Sequence, residues 1–401
     1  MIFATILNMK ILVVCQFYYP ENFVISPLCE ELVKLGNDVT VLTGKPNYGY
    51  GYILPEYKDI SYEEINGVKV HRVDIIPREK SRMSIIKNYL SFWKNSKRWI
   101  KRCKEEYDIV YSMSLSPVTI LSAGNLYKKK HHVKHIVHCV DLWPESVLIT
   151  KAVRKNSLTY RLLYHWSKAL YHKADHILIG SPSFKEYLRN VLKIKNTPIS
   201  EVVQPSIIES NDGLRKNLGP GFHILYCGNL GLIQDIDLIP LSMRLVKNKN
   251  VKFHIIGMGP KSDELKEKIK EYHLEDKVLY HGPLPAKKAA PYFKAADVCY
   301  ISLKNEGYVG KTIPNKMMMS MAFGKPILGV LGGDGRDLIK DGHFGLVSES
   351  DPKEIAKAID IMASKDEKEL KILGNNAKEY YFKNCSISSS AKKIDDILKQ
   401  S

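Results

Sequence analysis

The sequence has no apolar run near the roughly 20 residues that a helix needs to cross a bilayer, and it has no low-complexity segment. Residues 1–7 are apolar, but no basic segment precedes them and no small-residue cleavage site follows them. A secretory signal peptide has both features, so we predict none here, and Met9 is an alternative start of translation. These absences favour a globular protein of the cytosol.

The sequence also lacks the cysteine pattern of a disulfide framework or of a zinc site. Its seven cysteines are odd in number and scattered, and no two of them form a Cys-x-x-Cys pair. Four lie inside apolar, strand-like runs, where a free thiol packs as a small hydrophobic side chain. This usage indicates a reducing compartment, and we expect no bound metal.

What the chain does have is enough length for two domains. Its 401 residues exceed one ordinary core and fit two domains of roughly 200 residues each. The net charge of +17 is uneven, because residues 1–205 carry 30 basic and 18 acidic side chains, whereas residues 206–401 carry 30 and 25. The basic first half indicates an anionic partner such as membrane phosphate, nucleic acid or a pyrophosphate-bearing lipid.

Short β-branched runs alternate with helical stretches along the whole chain, which is typical of parallel sheets buried on both faces. The series starts twice, so we predict an α/β protein with two Rossmann-like, doubly wound domains, at 1–205 and 206–401. The last helix is expected to pack back on the first domain. The linker is predicted near residues 204–221, which are rich in proline and glycine. The predicted strands are 10–15, 39–43, 68–73, 108–113, 135–140, 176–180, 222–227, 251–256, 278–281, 298–303 and 327–330.

Two strand–glycine junctions of the second half are suited to a diphosphate. Gly228 follows one strand and Gly257 follows the next, and such turns offer backbone N–H groups beside a helix N-terminus. Glycines are equally common as plain turn formers. A third junction is more informative, because Asn315 and Lys316 open a predicted helix. A cation in the first turn of a helix opposes the helix dipole unless an anion lies beside it.

Several motifs, in this order, resemble family 4 of the retaining glycosyltransferases, and in particular its branch for bacterial capsule, O-antigen and colanic-acid-type polysaccharides, including N-acetylfucosamine-type transferases. The resemblance covers nearly the whole chain. The motifs are Tyr19-Pro20-Glu21-Asn22, Pro46-Asn47-Tyr48, Asp141-Leu142-Trp143-Pro144-Glu145-Ser146, Gly228-Asn229-Leu230-Gly231, Gly282-Pro283-Leu284-Pro285, Ile313-Pro314-Asn315-Lys316 and Gly324-Lys325-Pro326.

The resemblance implies a GT-B fold, with the donor in the second domain and the acceptor in the first. It implies a nucleotide-sugar donor, most commonly a UDP-sugar, and an undecaprenyl-diphosphate-linked saccharide acceptor at the inner face of the cell membrane. It also implies front-face attack by the acceptor hydroxyl and no obligatory metal or other cofactor. The predicted donor site comprises Gly228, Asn229, Gln234, Gly257, Gly282, Glu306, Asn315 and Lys316. Glu306 is included because it lies in the loop before Lys316, where it either holds the donor sugar or is a solvated loop residue.

The chain departs from the family pattern at four positions. The basic pair that usually binds the diphosphate is replaced by Asn229 and Gln234, and Lys316 and Asn315 are the candidate substitutes. The glutamate that usually holds the ribose is replaced by Met319. The usual histidine on the catalytic side is replaced by Val140, so His138, Asp141 and Glu145 become the catalytic candidates, although His138 fits a core position equally well. Glu21 and Asn22 are the candidate acceptor contacts.

Residues 78–104 hold ten Lys/Arg and one acidic residue. We predict a helix with Ile86, Tyr89, Leu90, Trp93 and Ile100 near one face. It is either an outer helix of the first domain or a contact with an anionic membrane surface. Three rival functions remain at this stage: a GT-B nucleotide-sugar epimerase, a regulatory homologue without activity, and a basic nucleic-acid-binding protein. The third would need a recognisable binding module, and the sequence contains none of the usual signatures.

Overall fold

The computed structural model describes residues 8–79, 81–149, 153–207 and 213–401. The chain forms two compact units, which we call unit 1 (residues 1–207 with 387–401) and unit 2 (residues 208–386). The apolar opening 1–7 and part of the predicted linker, residues 208–212, lie outside the described residues.

Unit 1 is built on an eight-stranded sheet with the strand order β3-β4-β2-β1-β5-β6-β7-β8. All neighbours are parallel except β3 and β4, which are antiparallel. The central strands are apolar runs buried on both faces, as parallel sheets require. The strands are β1 Lys10–Val14, β2 Asp38–Gly44, β3 Tyr62–Ile65, β4 Val68–Val73, β5 Ile109–Ser114, β6 Lys134–Cys139, β7 His176–Ile179 and β8 Ile199–Glu201.

The helices of unit 1 connect these strands. They are α1 Ile25–Lys34, α2 Arg82–Arg102, α3 Leu121–His131, α4 Glu145–Ile149, α5 Leu158–Tyr171 and α6 Pro182–Glu186, which continues as a π turn over Tyr187–Val191. Helices α2 and α5 begin at serine caps, since Ser81 accepts from the N–H of Ser84 and Ser157 accepts from the N–H of Tyr160.

Unit 2 has a six-stranded parallel sheet with the order β11-β10-β9-β12-β13-β14. Its strands are β9 Phe222–Cys227, β10 Val251–Ile256, β11 Val278–Tyr280, β12 Val298–Ser302, β13 Ile327–Val330 and β14 Gly345–Val347. Its helices are α7 Leu238–Met243, α8 Ser262–Glu271, α9 Ala286–Ala295, α10 Asn315–Ala322, α11 Gly333–Asp341, α12 Pro352–Ala363 and α13 Glu367–Asn384.

The final helix, α14 (Ile387–Gln400), packs on unit 1 and contributes to its core. Its buried residues Ala391, Ile394 and Leu398 join the cluster formed by α1 and the central strands. The side-chain amide of Asn37 also donates to the carboxylate of Asp395 at 2.7 Å. The second unit therefore ends at residue 386, fifteen residues before the predicted end of the second domain at residue 401.

Helix α2 buries a face different from the apolar face identified in the sequence. Its buried residues recur every four positions and are mostly polar: Ser84, Asn88, Phe92, Ser96 and Ile100. Asn88 is buried because it bridges three loops, donating to Asn47 Oδ1 at 3.1 Å and to Ile76 O at 2.6 Å and accepting from Gln16 Nε2 at 2.7 Å. Leu90 and Ile86 of the predicted apolar face are instead exposed. Of the two alternatives for the predicted apolar face, packing on the sheet therefore does not apply to Ile86 and Leu90, whereas Ile100 is buried. The inner face combines the hydrogen bonds of Asn88 with the core side chains Phe92 and Ile100.

Candidate functional site

Three adjacent strands of unit 2 end in glycines that lie against one another. The N–H of Gly257, after β10, donates to the carbonyl of Gly282, after β11, at 2.9 Å. A Cβ atom on Gly257 would lie 1.9 Å from the carbonyl oxygen of Gly228, which follows β9. Gly257 has φ +143°, so both its conformation and its contact require glycine. The structure thus brings three of the predicted donor-site residues to one edge of the sheet, where open α/β sheets bind ligands.

The backbone N–H groups that remain available are not those of the first glycines. The N–H of Gly228 donates to Ile256 O at 2.9 Å, and the N–H of Gly257 is also bonded. Within the described ranges, the N–H groups of Asn229 and Gly231 have no hydrogen-bond acceptor. The N–H groups of this turn that are open to a ligand therefore lie one to three residues after the glycine that the sequence pattern indicates.

Lys316 lies directly beneath this turn, in the first turn of α10. Its ammonium group donates to the hydroxyl of Tyr226 at 2.7 Å and lies 4.3 Å from the centre of that ring. Its Cε atom would be 3.5 Å from a Cβ atom on Gly228. No carboxylate in the described part of the chain forms an ion pair with it. Burial lowers the pKa of Lys316 to about 7, and neighbouring Cys227 opposes this shift.

Asn229 and Gln234 converge on the same turn. A Cβ atom on Gly231 would lie 2.4 Å from Gln234 Oε1 and 2.8 Å from Asn229 Nδ2, so both side chains occupy the space that glycine leaves. Gln234 Oε1 is buried and has no hydrogen-bond partner among the described residues. The two amides that replace the family's cations thus lie next to the unbonded N–H groups.

The remaining donor candidates are less tightly placed. Asn315 is exposed at the start of α10. Glu306 lies in the exposed loop before α10, and its backbone N–H donates to Lys304 O at 2.9 Å. No hydrogen bond or ion pair connects its carboxylate to Lys316 in the residues that the structure describes. Met319, one turn after Lys316, packs with Phe323 against an apolar cluster of unit 2.

The two acidic candidates of unit 1 have separate partners. Asp141, after β6, accepts from the N–H and the hydroxyl of Ser116 at 3.1 and 2.9 Å, and burial raises its pKa. Glu145 is the first residue of α4, is half-buried and accepts from the hydroxyl of Tyr160 at 2.8 Å. Both lie at the carboxyl edge of the sheet, but no hydrogen bond joins them.

His138 is a core residue, which corrects its assignment as a catalytic candidate. Its side chain is fully buried, with Nδ1 2.8 Å from the hydroxyl of Tyr111 and Nε2 3.2 Å from the carbonyl of Val202. Burial lowers its pKa to about 4, so the imidazole is neutral at physiological pH. With both nitrogens bonded and no exposed surface, it has no access to a substrate.

Glu21 also has a structural role, whereas Asn22 is exposed at the same edge of the sheet. The Glu21 side chain is buried, and one carboxylate oxygen accepts from the backbone N–H groups of Asn47 and Tyr48. Burial raises its pKa, and these hydrogen bonds oppose that shift. The predicted acceptor contact of Glu21 is therefore replaced by a positioning role for the loop after β2.

The sequence-based prediction missed Tyr226 and Asn88. Tyr226 lies inside an apolar strand and reads as a core residue, although its hydroxyl meets Lys316. Asn88 lies on a helix where polar residues are expected to face solvent. The buried position of Asn88 could have been predicted from the spacing of small and apolar residues. Ser84, Asn88, Phe92 and Ser96 recur every fourth residue and therefore share one face of the helix.

Two family models match the chain, one in each unit. The model described as a glycosyl transferase 4-like domain matches residues 22–202, and the model described as glycosyl transferases group 1 matches residues 221–365. Together they account for most of the sequence.

Two relatives and one solved structure illustrate the similarity. The chain is 27% identical over 292 residues to the probable glycosyltransferase WbjE of Pseudomonas aeruginosa, covering 68% of this chain and 72% of WbjE. It is 24% identical over 219 residues to the amylovoran biosynthesis glycosyltransferase AmsD of Erwinia amylovora, covering 52% and 56%. Anabaena Alr3699/HepE in complex with UDP and glucose superposes with a TM-score of 0.69 at 15% identity, covering 98% of this chain and 100% of that structure.

These matches agree with the two parallel-sheet units described above. The structural similarity, at low sequence identity, establishes the fold, and the two family models establish the class of enzyme. The chain therefore belongs to the glycosyltransferases of the GT-B fold.

Proposed function

We propose that this enzyme is a retaining family 4 transferase that moves a sugar from a UDP-sugar to a lipid-linked saccharide during synthesis of a bacterial surface polysaccharide. The observation that carries the donor assignment is Lys316, a half-buried lysine beneath the glycine edge of unit 2 that has no carboxylate partner among the described residues. AmsD is named for amylovoran biosynthesis, and HepE was solved with UDP, which supports this choice of substrates.

The proposed chemistry uses positive charge and N–H groups at fixed positions. As the bond between the sugar and the diphosphate breaks, negative charge grows on the leaving phosphate oxygens. The Lys316 ammonium group and the N–H groups of Asn229 and Gly231 are positioned to stabilise this charge without reorganisation. Because Lys316 supplies the cation, we propose that no metal ion is obligatory, and a chelator such as EDTA should leave the transfer rate unchanged.

Replacement of Lys316 tests the donor assignment directly. Lys316→Ala removes a charge-assisted hydrogen bond and should weaken UDP binding by about 1–3 kcal/mol, measured by calorimetry. Lys340→Ala, which removes an exposed lysine from the last turn of α11, is the matched control and should bind UDP as the wild type does. Equal UDP affinity of the folded Lys316 variant and the wild type would refute the role of Lys316.

We also propose that unit 1 contacts an anionic membrane surface, through α2. No helix among the described residues has both the length and the apolar composition needed to cross a bilayer. The outer face of α2 exposes Met83, Ile86 and Leu90 ahead of a basic second half. Nearby α5 exposes Leu158 and Leu162. Exposed apolar side chains flanked by lysine and arginine fit the headgroup region of an anionic leaflet.

The aromatic residues of α2 are less exposed than the membrane hypothesis assumed. Trp93 packs edge-on against Trp166 of α5 at 5.9 Å, with the Lys97 ammonium group over its ring. Trp99 packs on His71, and Tyr89 contacts Arg78. The proposed anchors are therefore the aliphatic side chains, and the aromatic rings join α2 to its neighbours.

Vesicle sedimentation separates this proposal from a merely solvated helix face. The wild type should sediment with phosphatidylglycerol vesicles, remain in solution with phosphatidylcholine vesicles, and be released as salt rises, because screening shortens the range of attraction to about 8–10 Å. Changing Lys94, Lys97, Lys101 and Arg102 to Glu should abolish sedimentation. As a control, the same charge change is made at four exposed lysines of unit 2, Lys353, Lys357, Lys368 and Lys371. That variant should still sediment with the vesicles. Wild-type protein that ignores anionic vesicles would overturn the proposal.

A further inference from the structure

The loop after β2, residues 45–54, exposes an unusual series of aromatic rings, and we call it the tyrosine loop. Tyr48, Tyr50 and Tyr52 are 43, 48 and 54% exposed. They alternate with Gly49 and Gly51, both at φ +83°. A Cβ atom on either glycine would contact nothing within 4 Å, so packing does not select glycine there. Glycine is favoured there by the left-handed backbone conformation, and the tyrosine rings form the outer surface of the loop.

The base of the tyrosine loop is rigid. Glu21 accepts from the N–H groups of Asn47 and Tyr48, and Asn47 Oδ1 accepts from the N–H of Arg78 at 2.8 Å. The Tyr48 ring packs against Phe17 at 5.0 Å, and the Arg78 guanidinium lies 5.0 Å from its centre. Tyr48 is therefore fixed, and the loop is organised before any ligand arrives, which lowers the entropy cost of binding.

Tyr50 and Tyr52 lie beyond this base. Their ring centres are 6.2 Å apart with an interplanar angle of 53°, and each ring is about half exposed. The N–H groups of Tyr50 and Gly51 both donate to Asn47 O at 3.3 Å, which ties the outer part of the loop to the fixed asparagine. The two rings consequently present neighbouring, accessible faces on a defined backbone.

The charge of the loop narrows the class of ligand. The one charged residue of the loop is Lys45, whose ammonium group pairs with Asp74 at 2.6 Å. Residues 46–54, which carry the three tyrosines, contain no charged side chain, in a chain with a net charge of +17. A site for a phosphate group or an anionic leaflet would be expected to use some of the abundant lysines and arginines. Aromatic faces combined with phenolic hydroxyls instead suit a ligand with apolar C–H surfaces and many neutral hydroxyl groups. A saccharide has both.

The position of the loop agrees with such a ligand. It follows β2 at the carboxyl edge of the unit 1 sheet, where open α/β sheets bind ligands, and exposed Asn22 follows the neighbouring strand β1. We propose that Tyr50 and Tyr52 bind the saccharide of the acceptor and help to determine which acceptor is used. The inference rests on the proposed function in placing the acceptor in unit 1.

Saturation-transfer NMR with four neutral probes tests this assignment: methyl β-D-glucopyranoside, methyl α-D-galactopyranoside, N-acetyl-D-glucosamine and cellobiose. The wild type should show transfer to at least one probe. The pair Y50A/Y52A should raise its half-saturating concentration about tenfold or more, because two stacking rings are lost. The double variant Y50F/Y52F keeps the rings and loses the hydroxyls. Its half-saturating probe concentration should lie between those of the wild type and of Y50A/Y52A. Tyr62→Ala on β3, where the tyrosine is 51% exposed, is the matched control and should bind as the wild type does.

The inference would be overturned by no transfer to any probe in the wild type, or by equal transfer in the wild type and in Y50A/Y52A. Loss of vesicle binding in Y50A/Y52A with unchanged saccharide binding would also overturn it, since the loop would then contact lipid. UDP calorimetry on the same samples separates the two proposals. Wild-type protein that binds a saccharide but not UDP would contradict the proposed function and leave the role of the tyrosines intact.

Discussion

Lys316 is a residue whose protonation depends on its ligand. Burial brings its pKa to about 7 in the unliganded enzyme. A diphosphate beside the ammonium group favours the charged form and raises that pKa again. At a pH about one unit above the unliganded pKa, most Lys316 side chains are neutral before binding and charged after it. Binding of UDP should therefore take up a proton there.

Calorimetry in buffers with different ionisation enthalpies measures this uptake. The apparent enthalpy of UDP binding should vary with the buffer for the wild type. It should not vary for Lys316→Arg, because a guanidinium stays protonated at every accessible pH. A wild-type enthalpy that is independent of the buffer would show that Lys316 does not change its charge on binding.

Glu145 is the acidic residue of unit 1 with the clearest connection to chemistry, since it is half-buried and has one identified partner, Tyr160. Glu145→Gln keeps the shape and removes the charge. We expect turnover to fall about tenfold or more with little change in UDP affinity, because we propose that the carboxylate acts on the acceptor hydroxyl or on developing charge. Tyr160→Phe should have a smaller effect on turnover. A Gln variant with the full transfer rate would reduce Glu145 to a helix-cap residue.

At the scale of elements, the glycine edge of unit 2 offers a matched pair of substitutions. Gly257→Ala places a Cβ atom 1.9 Å from the Gly228 carbonyl at φ +143°, and should lower the free energy of unfolding by about 3 kcal/mol or more. At Gly282, where φ is +70°, an added Cβ atom would meet nothing within 4 Å. Gly282→Ala should therefore lower the free energy of unfolding by only about 1 kcal/mol. Urea denaturation of both variants measures the difference. Equal losses would mean that the two turns do not pack as described.

The strands of the two sheets were largely predictable from sequence. Buried parallel strands are continuous apolar runs, and Val68–Val73, Phe222–Cys227, Val251–Ile256 and Ile327–Val330 have the predicted bounds. The missed strands lack that signal. Tyr62–Ile65 is a polar edge strand, and Ile199–Glu201 and Gly345–Val347 have only three residues each.

The candidate sites were less predictable than the strands. Glycine and lysine patterns located the edge of unit 2, because turn chemistry is local. The roles of His138 and Glu21 were not accessible, since burial and hydrogen-bond partners depend on segments far apart in the sequence. His138 meets a carbonyl 64 positions away, and Glu21 meets an amide 26 positions away. The local sequence around a histidine or a glutamate does not distinguish a side chain that faces a ligand from one that faces the core.

At the scale of the whole molecule, α14 ties the end of the chain to unit 1. Truncation after Ser386 would remove three buried aliphatic side chains and the partner of Asn37. The loss of roughly 5 kcal/mol or more is comparable with the whole stability of many domains. Hydrogen exchange should show lost protection in residues 10–201 and native protection in residues 222–384. Unchanged exchange in unit 1 would mean that α14 contributes little to its stability.

A ribosome finishes unit 2 before it finishes unit 1. Residues 10–201 emerge first, but their core remains uncovered along α1 until the last fifteen residues follow, whereas unit 2 has all of its strands and helices by residue 386. Domains generally fold as units once their sequence is complete. The nascent enzyme is therefore expected to complete unit 2 first, and a protease that removes the C-terminal turns should destabilise unit 1.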